Sequence, residues 1–314
     1  MSPELCKQLI RQLSKEAGFL YCGFARAEKL QDEAKKLEEW LHAGKHAGMS
    51  YMENHFEKRI DPTLLVPGAK TIITFVYNYY PSQKQLANQP KIAKYAYGLD
   101  YHHVIKLRLQ KIVDAVKEKA GDIQGRIFTD SAPVLEKAWA ARSGAGWIGK
   151  NTNIIRPAAG SFFFLAEWIC DLSLPADPPM KDYCGDCNRC VEACPTGALD
   201  VPYTLDAGKC ISYLTIELKG EIPSSFSGMM NEWAFGCDIC QDVCPWNRFS
   251  KAHQEPLFHP IEGLLSQGAG DWEEMTSRVF RKRFGSSAIS RTGLKGMKRN
   301  IRFLRQANQD SEQA

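Results

Sequence analysis

The residue type with the clearest chemistry in this chain is cysteine, which occurs 11 times in 314 residues. One run reads Cys184-x2-Cys187-x2-Cys190-x3-Cys194-Pro195. This spacing is typical of bacterial ferredoxins, in which a tight loop supplies three thiolates to a compact cubane and a more distant residue supplies the fourth. The run therefore predicts a [4Fe–4S] cluster.

A second, stretched copy of the run follows the first. It begins at Cys210 and continues as Cys237-x2-Cys240-x3-Cys244-Pro245. In two-cluster ferredoxins the fourth cysteine of each run binds the cluster of the other run. With that exchange, the sequence predicts one cluster on Cys184, Cys187, Cys190 and Cys244, and another on Cys194, Cys210, Cys237 and Cys240.

Structural zinc is the alternative for these eight cysteines, because zinc sites also use paired C-x2-C units with four ligands each. The triple C-x2-C-x2-C spacing and the proline after both runs favour iron–sulfur clusters instead. The remaining Cys6, Cys22 and Cys170 fall in apolar stretches, where a free cysteine behaves as a small hydrophobic residue. We expect these three to be buried.

The segments before the cysteine runs alternate between helical and strand patterns, which indicates an α/β domain. Strands are predicted at 19–24, 71–80, 126–129, 152–155 and 161–171, and helices at 3–15, 30–41, 103–120 and 133–141. The proline-rich stretch 174–179 interrupts regular structure and marks a boundary. The sequence thus predicts an α/β domain at 1–172, a two-cluster module at 173–250 and a basic helical segment at 251–314.

The chain has no segment that predicts insertion in a membrane. No apolar run approaches the length of about 18 residues that a transmembrane helix needs. The N-terminus carries Lys7, Arg11 and Lys15 and has no apolar core, so it does not have the form of a secretory signal. The expected location is therefore the cytoplasm.

Two short motifs resemble cofactor sites but have simpler interpretations. The stretch 144–149 has the form G-x-G-x-x-G, yet it follows a predicted helix and leads into a strand. We therefore interpret it as a turn and not as a nicotinamide site. The stretch 100–102 begins a D-x-H motif, but Ile105 stands where the cobalt-binding version has glycine. We expect no histidine–cobalt bond there, and Asp100 to cap a helix.

Asp130 ends a predicted strand and precedes Ser131-Ala132-Pro133. Ligands of open α/β sheets bind at the carboxyl ends of strands, which makes Asp130 a candidate site residue. The simpler interpretation is that Asp130 or Ser131 caps the next helix, with Pro133 in its first turn. Both roles are compatible if Ser131 caps the helix and Asp130 faces a pocket.

The stretch 278–305 contains ten Lys and Arg residues and no Asp or Glu. In a chain whose net charge is only +4, this makes it a candidate phosphate-binding surface. The alternative is a solvated basic helix face, and for the interleaved phenylalanines the expected role is core packing. The candidate RNA contacts are Arg278, Arg281, Lys282, Arg283, Lys298 and Arg299.

With these features together, the chain resembles the epoxyqueuosine reductases, which are cobalamin- and iron–sulfur-dependent enzymes that complete queuosine in transfer RNA. The resemblance covers residues 1–305. It is carried by both cysteine runs and by the stretches 95–102, 128–136, 146–151, 160–165, 210–217 and 236–238.

The resemblance implies a cobalamin between an α/β (α+β) domain, similar to the nitroreductase-like core of reductive dehalogenases, and a ferredoxin-like module that is followed by a basic helical C-terminus. It implies that Asp130, buried beside the cobalt, gives a proton to the epoxide oxygen. The substrate would be the anticodon of tRNA with Tyr, His, Asp or Asn acceptors, and the electron donor a flavodoxin or ferredoxin acting on a monomer. The residues implied near the corrin are Asp130, Asn153, Ile154, Ser212, Tyr213, Cys237 and Asp238.

Two other functions stay open at this point. A corrinoid reductase of a small molecule, such as a reductive dehalogenase, would share the cofactors but have no use for the basic stretch. A two-cluster electron-transfer protein would need neither the α/β domain nor Asp130. Cobalamin content separates this last function from the other two.

Overall fold

The computed structural model describes the backbone of residues 1–313 and the side chains through Ala307. The first half of the chain alternates between helices and strands, in agreement with the predicted α/β domain. Its elements are α1 (Pro3–Glu16), β1 (Tyr21–Arg26), α2 (Gln31–His42), α3 (Phe56–Ile60), α4 (Pro62–Leu65), β2 (Thr71–Asn78), β3 (Lys91–Ile92), α5 (Tyr101–Ala120), β4 (Gly125–Phe128), α6 (Glu136–Arg142), β5 (Trp147–Ile148), β6 (Ile154–Ile155) and β7 (Phe163–Cys170).

Four strands form the central sheet in the order β1-β2-β7-β4, with all neighbours antiparallel. The longest pairing joins β2 and β7 over eight residue pairs, from Thr71 opposite Cys170 to Asn78 opposite Phe163. Both faces are covered, by α1 and α5 on one side and by α6 on the other. Because of this double burial, β2 and β7 read as nearly continuous apolar runs.

The second half has short helices and little sheet. Its elements are α7 (Arg189–Glu192), α8 (Ile211–Ile216), β8 (Trp233–Phe235), α9 (Ile239–Asp242), α10 (Ala269–Glu274), α11 (Ser277–Phe284) and α12 (Gly293–Gln313). The strand β8 pairs with β3 of the first half in parallel. One core cluster joins Ile92 and Tyr97 to Phe235, Phe284 and Ile301. Packing therefore crosses both of the domain boundaries that the sequence predicts.

Several local predictions are confirmed. The side chain of Asp100 accepts a hydrogen bond from the backbone N–H of His102 and caps α5. The glycine-rich stretch 144–149 begins as the turn that joins α6 to β5 and then contains β5 itself, and Gly144 adopts a φ of +70°, which a side chain would disfavour. Cys6, Cys22 and Cys170 are buried in the core. No helix in residues 1–313 is long and apolar enough to cross a membrane.

The predicted helix cap at Asp130 and Ser131 is wrong. The helix α6 begins at Glu136, three residues later than predicted, its capping residue is Leu135, and no side chain accepts a capping hydrogen bond. Asp130 instead adopts a left-handed backbone conformation with φ of +47°. The stretch between β4 and α6 is therefore a loop, and Asp130 stands at its start.

Candidate active site and cysteine centres

Cys184, Cys187, Cys190 and Cys244 line one cavity of about 230 Å³. We call these four residues the outer cysteine group. Three come from the loop around α7, and the fourth comes from the second run, after α9. Cys187 is exposed, whereas the others are half-buried.

Aromatic and basic side chains frame the outer cysteine group. The indole Nε1 of Trp147 donates to the Sγ of Cys184 at 3.4 Å. Tyr183 and Trp246 line the same cavity. Lys150 fixes the cysteine loop, because its Nζ donates to the carbonyl of Gly185 at 2.7 Å and to Asn188 at 2.9 Å.

Cys194, Cys210, Cys237 and Cys240 form a second group, which we call the inner cysteine group. Burial raises the pKa of Cys210, Cys237 and Cys240. Each of these thiols also interacts with others of the group, Cys210 with Cys194 and Cys240 with both Cys237 and Cys210. No three His, Cys, Asp or Glu side chains in the described part of the chain converge closely enough to hold a single metal ion. The outer thiols surround a cavity of about 230 Å³, which is larger than the site of one metal ion.

Asp130 lies two residues after the end of β4, beside the start of α5. Its Oδ2 accepts a short hydrogen bond from the hydroxyl of Tyr101, and its backbone N–H donates one to the Oε1 of Glu136. The ring of Tyr101 is stacked between Phe164 and His102, each at a centroid distance of 4.1 Å. Tyr101 and Glu136 therefore hold the carboxyl and the backbone of Asp130 from two sides.

The protein by itself does not bury Asp130, because its side chain is 65% exposed. Among the described side chains, a hydrogen-bond donor contacts one of its two oxygens, and the Nε2 of His102 stands 3.9 Å from that same oxygen. His102 is in turn oriented by Asp100, whose Oδ1 lies 2.6 Å from the Nδ1 of the imidazole. The carboxyl of Asp130 is thus fixed in direction but open to a reacting group.

Lys137 connects the surroundings of Asp130 with the inner cysteine group. Its Nζ donates to the Oδ1 of Asn153 at 3.2 Å. Desolvation lowers the pKa of Lys137. Electrostatic interactions with Cys240, and then with Asp130 and Cys210, act in the opposite direction and raise it. One positive charge therefore stands within electrostatic reach of both the acid and the inner thiols.

The other residues implied near the corrin differ in what their side chains already contact. Tyr213 is buried, and its hydroxyl accepts from the backbone N–H of Gly48 at 2.9 Å. Asp238 is 2% exposed and binds Lys94 through both the backbone N–H and the ammonium. Ile154 is buried in β6, whereas Ser212 is half-buried at the start of α8. The hydroxyl of Tyr213 and the carboxylate of Asp238 therefore already have hydrogen-bond partners within the protein.

The basic stretch divides between exposed and buried residues. Arg278, Arg281 and Lys282 are exposed on α11, and Lys298 is half-buried on α12. Arg283 is also half-buried and donates to the carbonyl of Glu262 at 2.8 Å. The phenylalanines at 280 and 284 pack in the core, as expected.

Arg299 does not belong to the candidate RNA contacts. Its side chain is 7% exposed, and its guanidinium donates to the carbonyls of Leu214, Leu218 and Gly220 at 2.6 to 2.8 Å. Leu214 lies in the last turn of α8, and Leu218 and Gly220 follow its end, where a helix leaves carbonyl acceptors unpaired. The geometry assigns Arg299 to holding α8 and its loop against α12, so the prediction for this residue is wrong.

Sequence reasoning missed several residues around Asp130. The local sequence pattern does not mark Tyr101, Glu136 or Glu167 as site residues. By sequence Arg291 is one of ten basic residues in the stretch 278–305, whereas in the structure it binds Glu217 at 2.7 Å and lies over the ring of Tyr51. A glutamate in the middle of an apolar strand was the one available signal, and it stands at Glu167 in FFLAEWIC.

Comparison with known proteins places the chain in a family. A family profile described as "Epoxyqueuosine reductase QueG, DUF1730" matches residues 59–131, and one described as "4Fe-4S double cluster binding domain" matches residues 183–247. The epoxyqueuosine reductase of Cellulophaga algicola is 55% identical over 297 residues, which cover 95% of this chain and 97% of that protein. The chain belongs to the epoxyqueuosine reductase family.

Solved structures of the family agree with the fold. The epoxyqueuosine reductase of Bacillus subtilis, with its catalytic aspartate loop swung out of the active site, has a TM-score of 0.89 and 31% identity, over 99% of this chain and 84% of that one. A crystal structure of an epoxyqueuosine reductase with an epoxyqueuosine-modified tRNA-Tyr stem loop has a TM-score of 0.90, 31% identity and the same coverage. As an epoxyqueuosine reductase, the protein is an oxidoreductase with a double [4Fe–4S] module.

Proposed function

We propose that this protein reduces the epoxide of epoxyqueuosine to the alkene of queuosine in the anticodon of tRNA. The observation that carries the proposal is the position of Asp130, an oriented and accessible acid that shares the neighbourhood of Lys137 with the inner cysteine group. The reaction needs a proton at the departing oxygen and electrons at the adjacent carbons. Both are available at this site if the cysteines hold clusters.

The eight cysteines are proposed as the ligands of two [4Fe–4S] clusters, one for the outer and one for the inner cysteine group. The cavity of about 230 Å³ between the outer thiols suits a cubane. The raised thiol pKa values of the inner group fit as well, because a buried thiolate is stable only beside a metal charge. Electrons would enter at the outer cluster, near solvent, and leave from the inner cluster towards Asp130.

Cobalamin is proposed as the cofactor between the inner cluster and Asp130. The residues present fit its amide-bearing rim, since the hydrogen-bonded Lys137 and Asn153 offer donors and acceptors, and Lys137 is within electrostatic reach of Asp130. When bound, cobalamin supplies a low-potential cobalt that can cleave the carbon–oxygen bond of the epoxide. Asn153, Ile154, Ser212, Tyr213, Cys237 and Asp238 stay proposed neighbours of the corrin.

In this proposal the protein's own residues donate the proton and orient its donor. Asp130 donates to the departing oxygen, because an alkoxide is a poor leaving group. Tyr101 keeps the carboxyl pointing in one direction, and the stacked rings of Phe164 and His102 keep Tyr101 in place. The left-handed conformation of Asp130 is held by the hydrogen bond from its N–H to Glu136. A catalytic aspartate loop that leaves the active site in the Bacillus subtilis relative supports this role.

For RNA binding we propose the exposed part of the basic stretch, namely Arg278, Arg281 and Lys282, with Lys298 and Arg283 beside them. Support comes from the relative solved with a modified tRNA-Tyr stem loop. The proposed substrates are the tRNAs with Tyr, His, Asp and Asn acceptors. We further propose a cytoplasmic monomer that receives electrons from a flavodoxin or ferredoxin.

The test is single-turnover reduction of epoxyqueuosine in tRNA by anaerobically reconstituted protein, with and without cobalamin. The nucleoside product is read by mass spectrometry. Loss of one oxygen only in the presence of cobalamin is the expected result. Absence of reaction with both clusters and cobalamin bound would instead favour a corrinoid reductase of a small molecule, for which the basic stretch is only a solvated surface.

A further inference from the structure

We propose that Glu136 and Glu167 hold one proton between them and resupply Asp130 during the reduction. The inference rests on the proposed function, because it concerns a second proton of that reaction. Converting an epoxide to an alkene and water consumes two electrons and two protons. The clusters and the external donor account for the electrons, whereas the carboxyl of Asp130 holds only one proton at a time.

Glu167 occupies a position where a charged carboxylate is poorly stabilised. It lies in β7, opposite Thr74 of β2 and Phe128 of β4, and it is 0% exposed. Neither of its carboxylate oxygens has a hydrogen-bond donor among the described residues, and the hydroxyl of Thr74 also lacks a partner. A buried carboxylate without a hydrogen-bond donor is costly, so a proton is expected on Glu167 or on an acid in contact with it.

The carboxyl of Glu136 lies within hydrogen-bonding reach of Glu167, because α6 packs against β7. Two carboxylates contain only acceptors, and they form a hydrogen bond to each other only when one of them is protonated. Burial raises the pKa of both residues, and the carboxylate of Asp130 raises both further. The N–H of Asp130 and the charge of Lys137 lower the pKa of Glu136 in part. No cation among the described residues lowers the pKa of Glu167. The pair therefore keeps one shared proton at neutral pH.

The pair is connected to Asp130 through Glu136. The Oε1 of Glu136 accepts from the backbone N–H of Asp130. The carboxyl of Glu136 is therefore separated from the carboxyl of Asp130 by no more than the length of one residue. One water can bridge such a gap and carry a proton across it. Tyr101 and His102 face Asp130 from the other side, and Tyr101 is engaged as a donor to its Oδ2. Glu136 thus stands between the buried acid and the proton donor.

The proton balance follows from this arrangement. Asp130 first protonates the oxygen as the carbon–oxygen bond breaks and becomes a carboxylate. The new negative charge favours transfer of the shared proton from Glu136 to Asp130. Asp130 then gives this second proton to the departing hydroxide, which leaves as water. At the end of the cycle Asp130 is a carboxylate and the pair has lost its shared proton. Two protons therefore return from solvent before the next turnover, one to the exposed Asp130 and one to the pair through the half-buried Glu136.

The test compares Glu167→Gln and Glu136→Gln with the exposed control Glu118→Gln in the cobalamin-loaded, reduced enzyme. Each glutamine keeps the shape and an acceptor but cannot release a proton. We expect single-turnover reduction by both site variants to slow by at least about tenfold, the low end for losing a general acid, and the control to be unchanged. In the variants, but not in wild type, the rate should rise with the concentration of a small acidic buffer such as imidazolium.

A second measurement does not depend on turnover. Infrared spectra of the resting protein should contain a protonated carboxyl band near neutral pH that is absent from Glu167→Gln and present in Glu118→Gln. Absence of the band, or site variants whose rates match wild type without buffer dependence, would overturn the proposal. If wild type itself does not reduce the tRNA, the proposed function fails, and a retained band would leave the pair as a structural acid without its role in proton supply.

Discussion

The two cysteine groups have the same residue type and similar spacing, yet they occupy different environments. The outer group borders a cavity lined by Tyr183 and Trp246, and one of its members, Cys187, is exposed. The inner group lies against Lys137, and burial raises the pKa of Cys240 well above its usual range. The difference gives the pair of proposed clusters a direction, because one is accessible to a partner and the other to the reacting site.

The largest effect is expected from breaking the inner group. Cys240→Ser should lower the iron content by about half, since each cluster has four irons. It should also abolish reduction of epoxyqueuosine with any electron donor, because no cluster then stands next to the site. Iron analysis and the single-turnover assay measure both quantities.

The matched variant Cys187→Ser in the outer group sharpens the comparison. It should lose the same amount of iron and all reduction by a protein donor. A small chemical reductant, however, can reach the inner cluster directly and should keep single-turnover reduction within about tenfold of wild type, the scale of one modest change in barrier. Equal loss in both variants with the chemical reductant would mean that the groups do not differ in function.

The next effect concerns the proton side of the site. Asp130→Asn keeps the shape and the hydrogen bond to Tyr101 but has no proton to give. We expect reduction to fall by about 10²- to 10⁴-fold, as for loss of a general acid. Both clusters and cobalamin should remain, and Asp114→Asn on the exposed face of α5 serves as control. Reduction at the wild-type rate would remove Asp130 from the mechanism.

How much of this arrangement the sequence predicts depends on whether the information is local. A compact cluster imposes short cysteine spacing, so the runs anticipate the grouping of thiols around the outer cavity. The strands and most helices follow from apolar periodicity. The pairing of Glu136 with Glu167, by contrast, depends on α6 packing against β7, which no local pattern encodes.

The wrong predictions for individual residues have one physical cause. Ser131 and Asp130 are good helix caps by residue type, but the helix begins later and the loop is held by Glu136. Arg299 looks like a phosphate contact in a basic run, whereas α12 turns it towards carbonyl groups at and after the C-terminal end of α8. In each case a long-range contact overrides a preference that the local sequence expresses.

The contrast between buried and exposed members of one residue type extends to the arginines. Arg299→Ala would leave the carbonyls of Leu214, Leu218 and Gly220 without their donor. Loss of charged hydrogen bonds at a buried site should lower the free energy of unfolding by about 2–4 kcal/mol. Chemical denaturation of the reconstituted protein measures this change. An effect within error of wild type would contradict a structural role for the guanidinium.

The smallest effect is expected at the exposed Arg281 on α11. Arg281→Ala should leave the free energy of unfolding within about 0.5 kcal/mol of wild type, as for most surface substitutions. If this side chain neutralises a phosphate, affinity for an anticodon stem loop falls, and the slope of log K against log salt concentration decreases by about 1. Arg26→Ala at the exposed end of β1 is the matched control and should change neither quantity. An unchanged salt dependence for Arg281→Ala would show that α11 presents a solvated basic face, and the RNA would then have to be bound elsewhere on the protein.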